Sequence, residues 1–167
     1  MSILGRKLHG GITGGAILLS LALLASPLAA QNPVTSLTLA GAVITFPAPT
    51  AADYINGFVN TATGVTFTVN ATNGNQSHTT TVSIRATSAN LGGGKVLADL
   101  QWRRSDLATW NSITSTNVQV EQRVVVLNGT NDPWNNIIFF RMLLHWATDP
   151  PATRSANYLI TLSQTVP

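Results

Sequence analysis

The chain has 167 residues, no cysteine, and nine Lys+Arg against six Asp+Glu, a formal net charge of +3. Only 9% of its residues are charged and 44% are hydrophobic. Nucleic-acid binding is excluded on this count, because phosphate recognition needs a stripe of cations. After residue 30, only Arg103-Arg104 are adjacent.

The first thirty residues read as a secretory signal peptide. Arg6 and Lys7 form a basic start, Ala16 to Ala25 an apolar run, Pro27 a helix breaker, and Ala29-Ala30 a small-residue site before Gln31. The apolar run is shorter than the roughly 20 residues a membrane span requires. A lipid anchor would need a cysteine at the cleavage site. Cleavage after Ala30 by the general secretory route is therefore expected. It leaves residues 31–167 as one domain in the periplasm, at the cell surface or outside the cell, free of the membrane. The mature chain keeps seven basic and six acidic residues, a net charge of +1.

Export without cysteine leaves apolar burial and backbone pairing to hold the fold. Thr35 and Thr38 alternate with Leu37 and Leu39, and parity then shifts at Ala40-Gly41 before Ile44 and Phe46. That shift suggests a bulge or a strand that changes sheets. A single helical turn is expected near Thr50–Ile55, with Thr50 as its cap. Val65, Phe67, Val69 and Ala71 alternate with polar residues, Asn73-Gly74-Asn75 marks a turn, and Val82, Ile84 and Ala86 alternate again. These two runs are expected to pair as antiparallel neighbours.

Gly92-Gly93-Gly94 reads as a flexible joint, followed by a strand that places Leu100 and Trp102 on one face. Val118, Val120, Val124 and Val126 share a parity opposite Glu121 and Arg123. The run from Ile137 to Trp146 is the strongest core strand, with Ile138, Phe140, Met142, Leu144 and Trp146 on one side and Arg141 and His145 on the other. Tyr158, Ile160 and Leu162 make the last strand. Short strands at this spacing, with turn residues between them, predict an all-β fold. We read it as a single immunoglobulin-like antiparallel β-sandwich, with a jelly roll or small β-barrel as the alternative.

Catalytic chemistry finds little to work with. His78 sits in a polar turn and reads as solvated, while His145 reads as a surface or sheet-edge histidine. No G-x-S-x-G turn offers a serine nucleophile. Asp106, Asp132 and Asp149 sit in turn contexts, and Asp99 and Glu121 share parity with Arg103 and Arg123, so ion pairing accounts for them. No catalytic residue, cofactor or metal motif is assigned. The oxygen-rich loop Asn128–Asn136 could hold Ca²⁺ weakly but contributes one carboxylate, Asp132. Of the four tryptophans, Trp102 and Trp146 share parity with Leu100 and Leu144 and are expected inside. Trp110 and Trp134 lie beside turns and are the candidates for stacking against a sugar ring.

The segment Asp53-Tyr54-Ile-Asn-Gly57, the inward Trp102 and the closing Tyr158-Leu-Ile-Thr-Leu162 strand resemble those of bacterial exported immunoglobulin-like and pilin-like sandwiches. The resemblance implies a surface protein. Chaperone–usher pilins usually add a disulfide and a terminal zipper with a penultimate tyrosine, whereas this chain has no cysteine and ends Val166-Pro167. The expectation is thus a non-enzymatic exported protein with a structural, adhesive or surface-interaction role. It would associate with itself or another surface protein through edge strands, those in 34–46 and 156–166 foremost. The alternative is a carbohydrate-binding module that grips a glycan through Trp110 and Trp134.

Overall fold

The computed structural model describes residues 34–40, 44–72, 77–88, 91, 93–125 and 133–166. The expected leader (residues 1–30), the Asn73-Gly74-Asn75 turn and most of the Asn128–Asn136 loop lie outside them. The elements begin with β1 (Val34–Ala40), β2 (Ile44–Phe46), α1 (Ala51–Asn56), β3 (Phe58–Asn60), β4 (Val65–Thr72) and β5 (His78–Ala86). A 3-10 turn at Leu97–Asp99 leads into β6 (Leu100–Arg104) and β7 (Asn111–Ser112). The rest are β8 (Val118–Val125), β9 (Trp134–Leu143), β10 (Arg154–Ala156) and β11 (Tyr158–Thr165).

These strands form an all-β sandwich. One sheet runs β1-β4-β9-β6-β7, with β3 also bonded to β9; the other runs β11-β5-β8, and β10 pairs with β2 separately. Every pairing is antiparallel. The core lies between the sheets. Val65, Phe67 and Val69 of β4, Val82 and Ile84 of β5, Leu100 and Trp102 of β6, and Ile138, Phe140 and Met142 of β9 are all buried in it. Period-two alternation is what turns one face of each strand inward.

Three local expectations hold. Thr50 caps α1 through a reciprocal box: its hydroxyl accepts from the Asp53 N–H, and the Asp53 carboxylate accepts from the Thr50 N–H at 2.8 Å. The Thr50 bonds hold the Asp53 carboxyl below its usual range. The parity shift after Ala40 coincides with a change of partner, because β1 lies on the six-stranded sheet and β2 pairs with β10. Trp102 points inward, at 3% exposure.

Four expectations are corrected. β4 and β5 are not paired neighbours but belong to opposite sheets; alternation fixes which face is buried and leaves the partner open. His78 is 1% exposed, because it opens β5 on the inward parity of Thr80, Val82 and Ile84. Trp134, expected at the surface, is 5% exposed as the first inward residue of β9. Trp146, expected inside, is 72% exposed, because β9 stops at Leu143 and Trp146 falls within the turn that follows.

Candidate functional site

The turn that ejects Trp146 is built around a buried lysine. The Lys95 side chain is 1% exposed, and its ammonium donates to the Leu143 carbonyl at 2.6 Å and to Oδ2 of Asp149, itself buried. The same Asp149 oxygen accepts from the His145 N–H at 2.6 Å. The N–H groups of Thr148 and Asp149 then return to the His145 carbonyl at 3.1 and 3.0 Å. Backbone that would have continued the strand is thereby closed into a turn.

Burial pushes the Asp149 carboxyl upward, but the Lys95 ammonium and the His145 N–H outweigh it and hold it below the ordinary carboxylate range. Asp99 completes the cluster, 3.8 Å from Lys95 Nζ and 3.5 Å from Nε2 of the exposed His145. The expected partner of Asp99 was Arg103. A lysine four residues before it and the β9 turn take that place instead.

Trp146 stands on this turn with a second support. The Tyr54 ring meets it edge-on, centroids 5.0 Å apart, and the Tyr54 hydroxyl donates to the Asp149 carbonyl at 2.6 Å. Tyr54, Trp146, Asp149 and Pro151 line an open depression of about 350 Å³. The α1 cap, the buried cluster and the β9 turn thus converge on one indole. It is braced from the side and bathed in solvent.

The two residues expected to stack with a ligand are placed differently. Trp134 packs edge-on against Phe67 at 5.7 Å, with the Arg123 guanidinium 4.6 Å from its ring centre. It belongs to the core. Trp110, between β6 and β7, is half-buried, with the guanidinium groups of Arg103 and Arg141 at 5.1 and 4.5 Å from its ring centre. The structure does not bring Trp110 and Trp134 together on a common platform of exposed indoles.

No protein family, curated protein or solved structure matches this chain.

Glu121 and Asp106 are engaged in ion pairs. Glu121 lies 2.7 Å from Arg123 and 3.7 Å from Arg104, and Asp106 takes both Nε and Nη2 of Arg104. That pairing brings the Asp106 carboxyl down to about 2. Among the described residues, no three His, Asp or Glu side chains converge as a metal site, and no helix is long and apolar enough to cross a membrane.

Proposed function

We propose that this chain is an exported, non-enzymatic adhesive module, an immunoglobulin-like sandwich that presents Trp146 to a carbohydrate surface. One observation carries the reading: a large apolar side chain is held out in water by a turn locked from beneath. Single exposed apolar side chains are common on protein surfaces, and what distinguishes Trp146 is its support, the Tyr54 ring at its edge and the hydrogen-bonded turn beneath it. Tryptophan is enriched where a few side chains carry most of a binding energy. A braced indole loses little further freedom when a ligand lands on it, which favours affinity.

Titration of tryptophan emission against a polysaccharide panel tests this. A glycan that binds should shift the emission of the wild-type chain. Trp146→Ala should weaken binding about tenfold or more while leaving stability within about 0.5 kcal/mol, as expected for a surface position. Emission that no glycan moves would remove the sugar reading.

A second mode of attachment, through strand edges, is favoured by where the two terminal strands lie. β1 ends one sheet and β11 ends the other, and the Thr35 hydroxyl donates to Gln164 Oε1 at 2.6 Å between them. Neither strand contains a charged residue or a proline, the devices that ordinarily discourage edge-to-edge pairing. Cross-linking and size-exclusion chromatography of the mature chain should detect oligomers. Lysine at the exposed Ser36 and Ser163 together should return it to a monomer. A wild-type chain that is strictly monomeric at high concentration would exclude this mode.

A further inference from the structure

We propose that the outer face of the six-stranded sheet binds an acidic sugar unit through its carboxylate, using Arg103 and Arg141 held ready on Trp110. None of these residues belongs to the Trp146 turn, so the proposal does not rest on the reading above. Strand register puts them together. Arg103 of β6 lies opposite Phe139 of β9, and Arg141 lies opposite Gln101 of β6 and Asn60 of β3. The neighbours Trp102, Phe140 and Met142 point into the core, so the alternate residues on these strands face outward.

Aromatic rings position both cations. Besides their contacts with Trp110, Arg103 lies 5.1 Å from the Phe139 ring centre and Arg141 lies 4.9 Å from that of Phe58. Contacts of this kind satisfy the flat face of a guanidinium and leave its N–H edges available. Arg141 uses Nε on Gln101 Oε1 at 2.7 Å. Arg103 uses Nη1 on the carbonyls of Leu107 and Arg104, at 2.9 and 3.3 Å. Among the described residues, both Nη groups of Arg141 and the Nε and Nη2 of Arg103 have no acceptor, and neither arginine has an ion-pair partner. Arg104, Arg123 and Lys95, by contrast, are each matched to a carboxylate.

Two like charges on one indole without a counter-ion are in tension. Burial and then the charge of Arg103 push the Arg141 guanidinium below its ordinary range. An anion would relieve that tension, and a carboxylate has the planar, two-oxygen geometry of the guanidinium fork. Beside the pair lies a depression of about 220 Å³ lined by Asn60, Thr61, Arg103, Trp110, Phe139 and Phe140. It is smaller than the roughly 300–1,000 Å³ typical of drug-sized ligands, which suits one sugar ring. Asn60 and Thr61 supply the amide and hydroxyl groups that ring hydroxyls need. A neutral sugar stacking on Trp110 would have to compete with guanidinium groups already against that ring. Trp110 therefore acts by positioning the arginines.

Calorimetric titration with oligogalacturonate and its fully methyl-esterified form, at one ionic strength, decides the matter. The acid should bind, and the ester about tenfold or more weaker. Arg103→Gln and Arg141→Gln should each lower affinity for the acid by a similar factor. Arg141→Lys, which keeps the charge and loses the fork, should also bind more weakly. Arg85→Gln, on β5 of the opposite sheet, should leave acid binding unchanged. Equal binding of acid and ester, an equal loss on Arg85→Gln, or dextran sulfate binding as tightly as the acid through the same arginines would each overturn the assignment. The ester comparison uses the wild-type chain alone, so a variant that fails to fold does not blunt the test.

Discussion

Replacing Lys95 with methionine is expected to destabilise the fold by about 3–5 kcal/mol, the cost of stripping one partner from a buried ion pair. Methionine fills much the same space, so the loss is electrostatic. The Asp149 side chain is 4% exposed, and without Lys95 its carboxylate keeps only the His145 N–H among these donors. The Leu143 carbonyl loses its ammonium donor as well. Lys95→Met combined with Asp149→Leu should recover part of the loss, because no charge is then stranded. Recovery stays incomplete, since the His145 N–H has lost its acceptor. Urea denaturation of the three variants measures this. A single-variant cost under about 1 kcal/mol would show that the turn does not depend on the lysine.

The same pair sets a response to acid. The Asp149 carboxyl is held below its ordinary value of 3.8, so the unfolded chain takes up its proton first as pH falls. The contribution is complete above the unfolded value and disappears as pH drops through the folded one. Acid unfolding of the wild type should therefore set in below about pH 4. In Lys95→Met the Asp149 carboxyl rises, and the transition moves to higher pH. Asp106 also titrates low, at about 2, but its side chain is 49% exposed, and solvent and salt screen its pairing with Arg104. Added salt should thus leave most of the acid transition in place.

Faces were legible in the sequence; neighbours were not. Val65, Phe67 and Val69, or Ile138, Phe140 and Met142, carry their burial in local alternation, which any chain reading recovers. That β4 lies beside β1 and β9 instead of β5 depends on pairings between residues far apart in sequence. Trp134 has the parity of Ile138 and Phe140, so the signal for its burial was present, and its nearness to a loop obscured it. Trp146 is the opposite case. It has the parity of Leu144, yet the strand ends because the Asp149 carboxylate captures the His145 N–H, with a lysine some fifty positions upstream holding that carboxylate. No local pattern encodes such a contact. Arg103 and Arg141 were visible as outward charges, but their meeting at Trp110 requires the β6–β9 register.

Phe140→Ala should cost about 3–5 kcal/mol, the range for deleting a buried aromatic ring whose cavity the surroundings fill only partly. Phe140 is 1% exposed on β9, the strand that bonds to β3, β4 and β6. Its ring lies 5.2 Å from that of Tyr158 on β11, so it joins the two sheets. Tyr158 provides a second readout in the same sample. Burial pushes its hydroxyl up to about 12 from an ordinary value of 10.0. Between those values the unfolded chain releases a proton that the folded chain retains, so stability falls as pH rises through the window. With the Phe140 ring removed, water reaches the tyrosine and its titration should move back toward 10. Absorbance of the tyrosinate ion follows that shift while denaturation follows the stability. If stability drops while Tyr158 still titrates near 12, the tyrosine is shielded by its own sheet, and the ring of Phe140 is not what keeps water out between the layers.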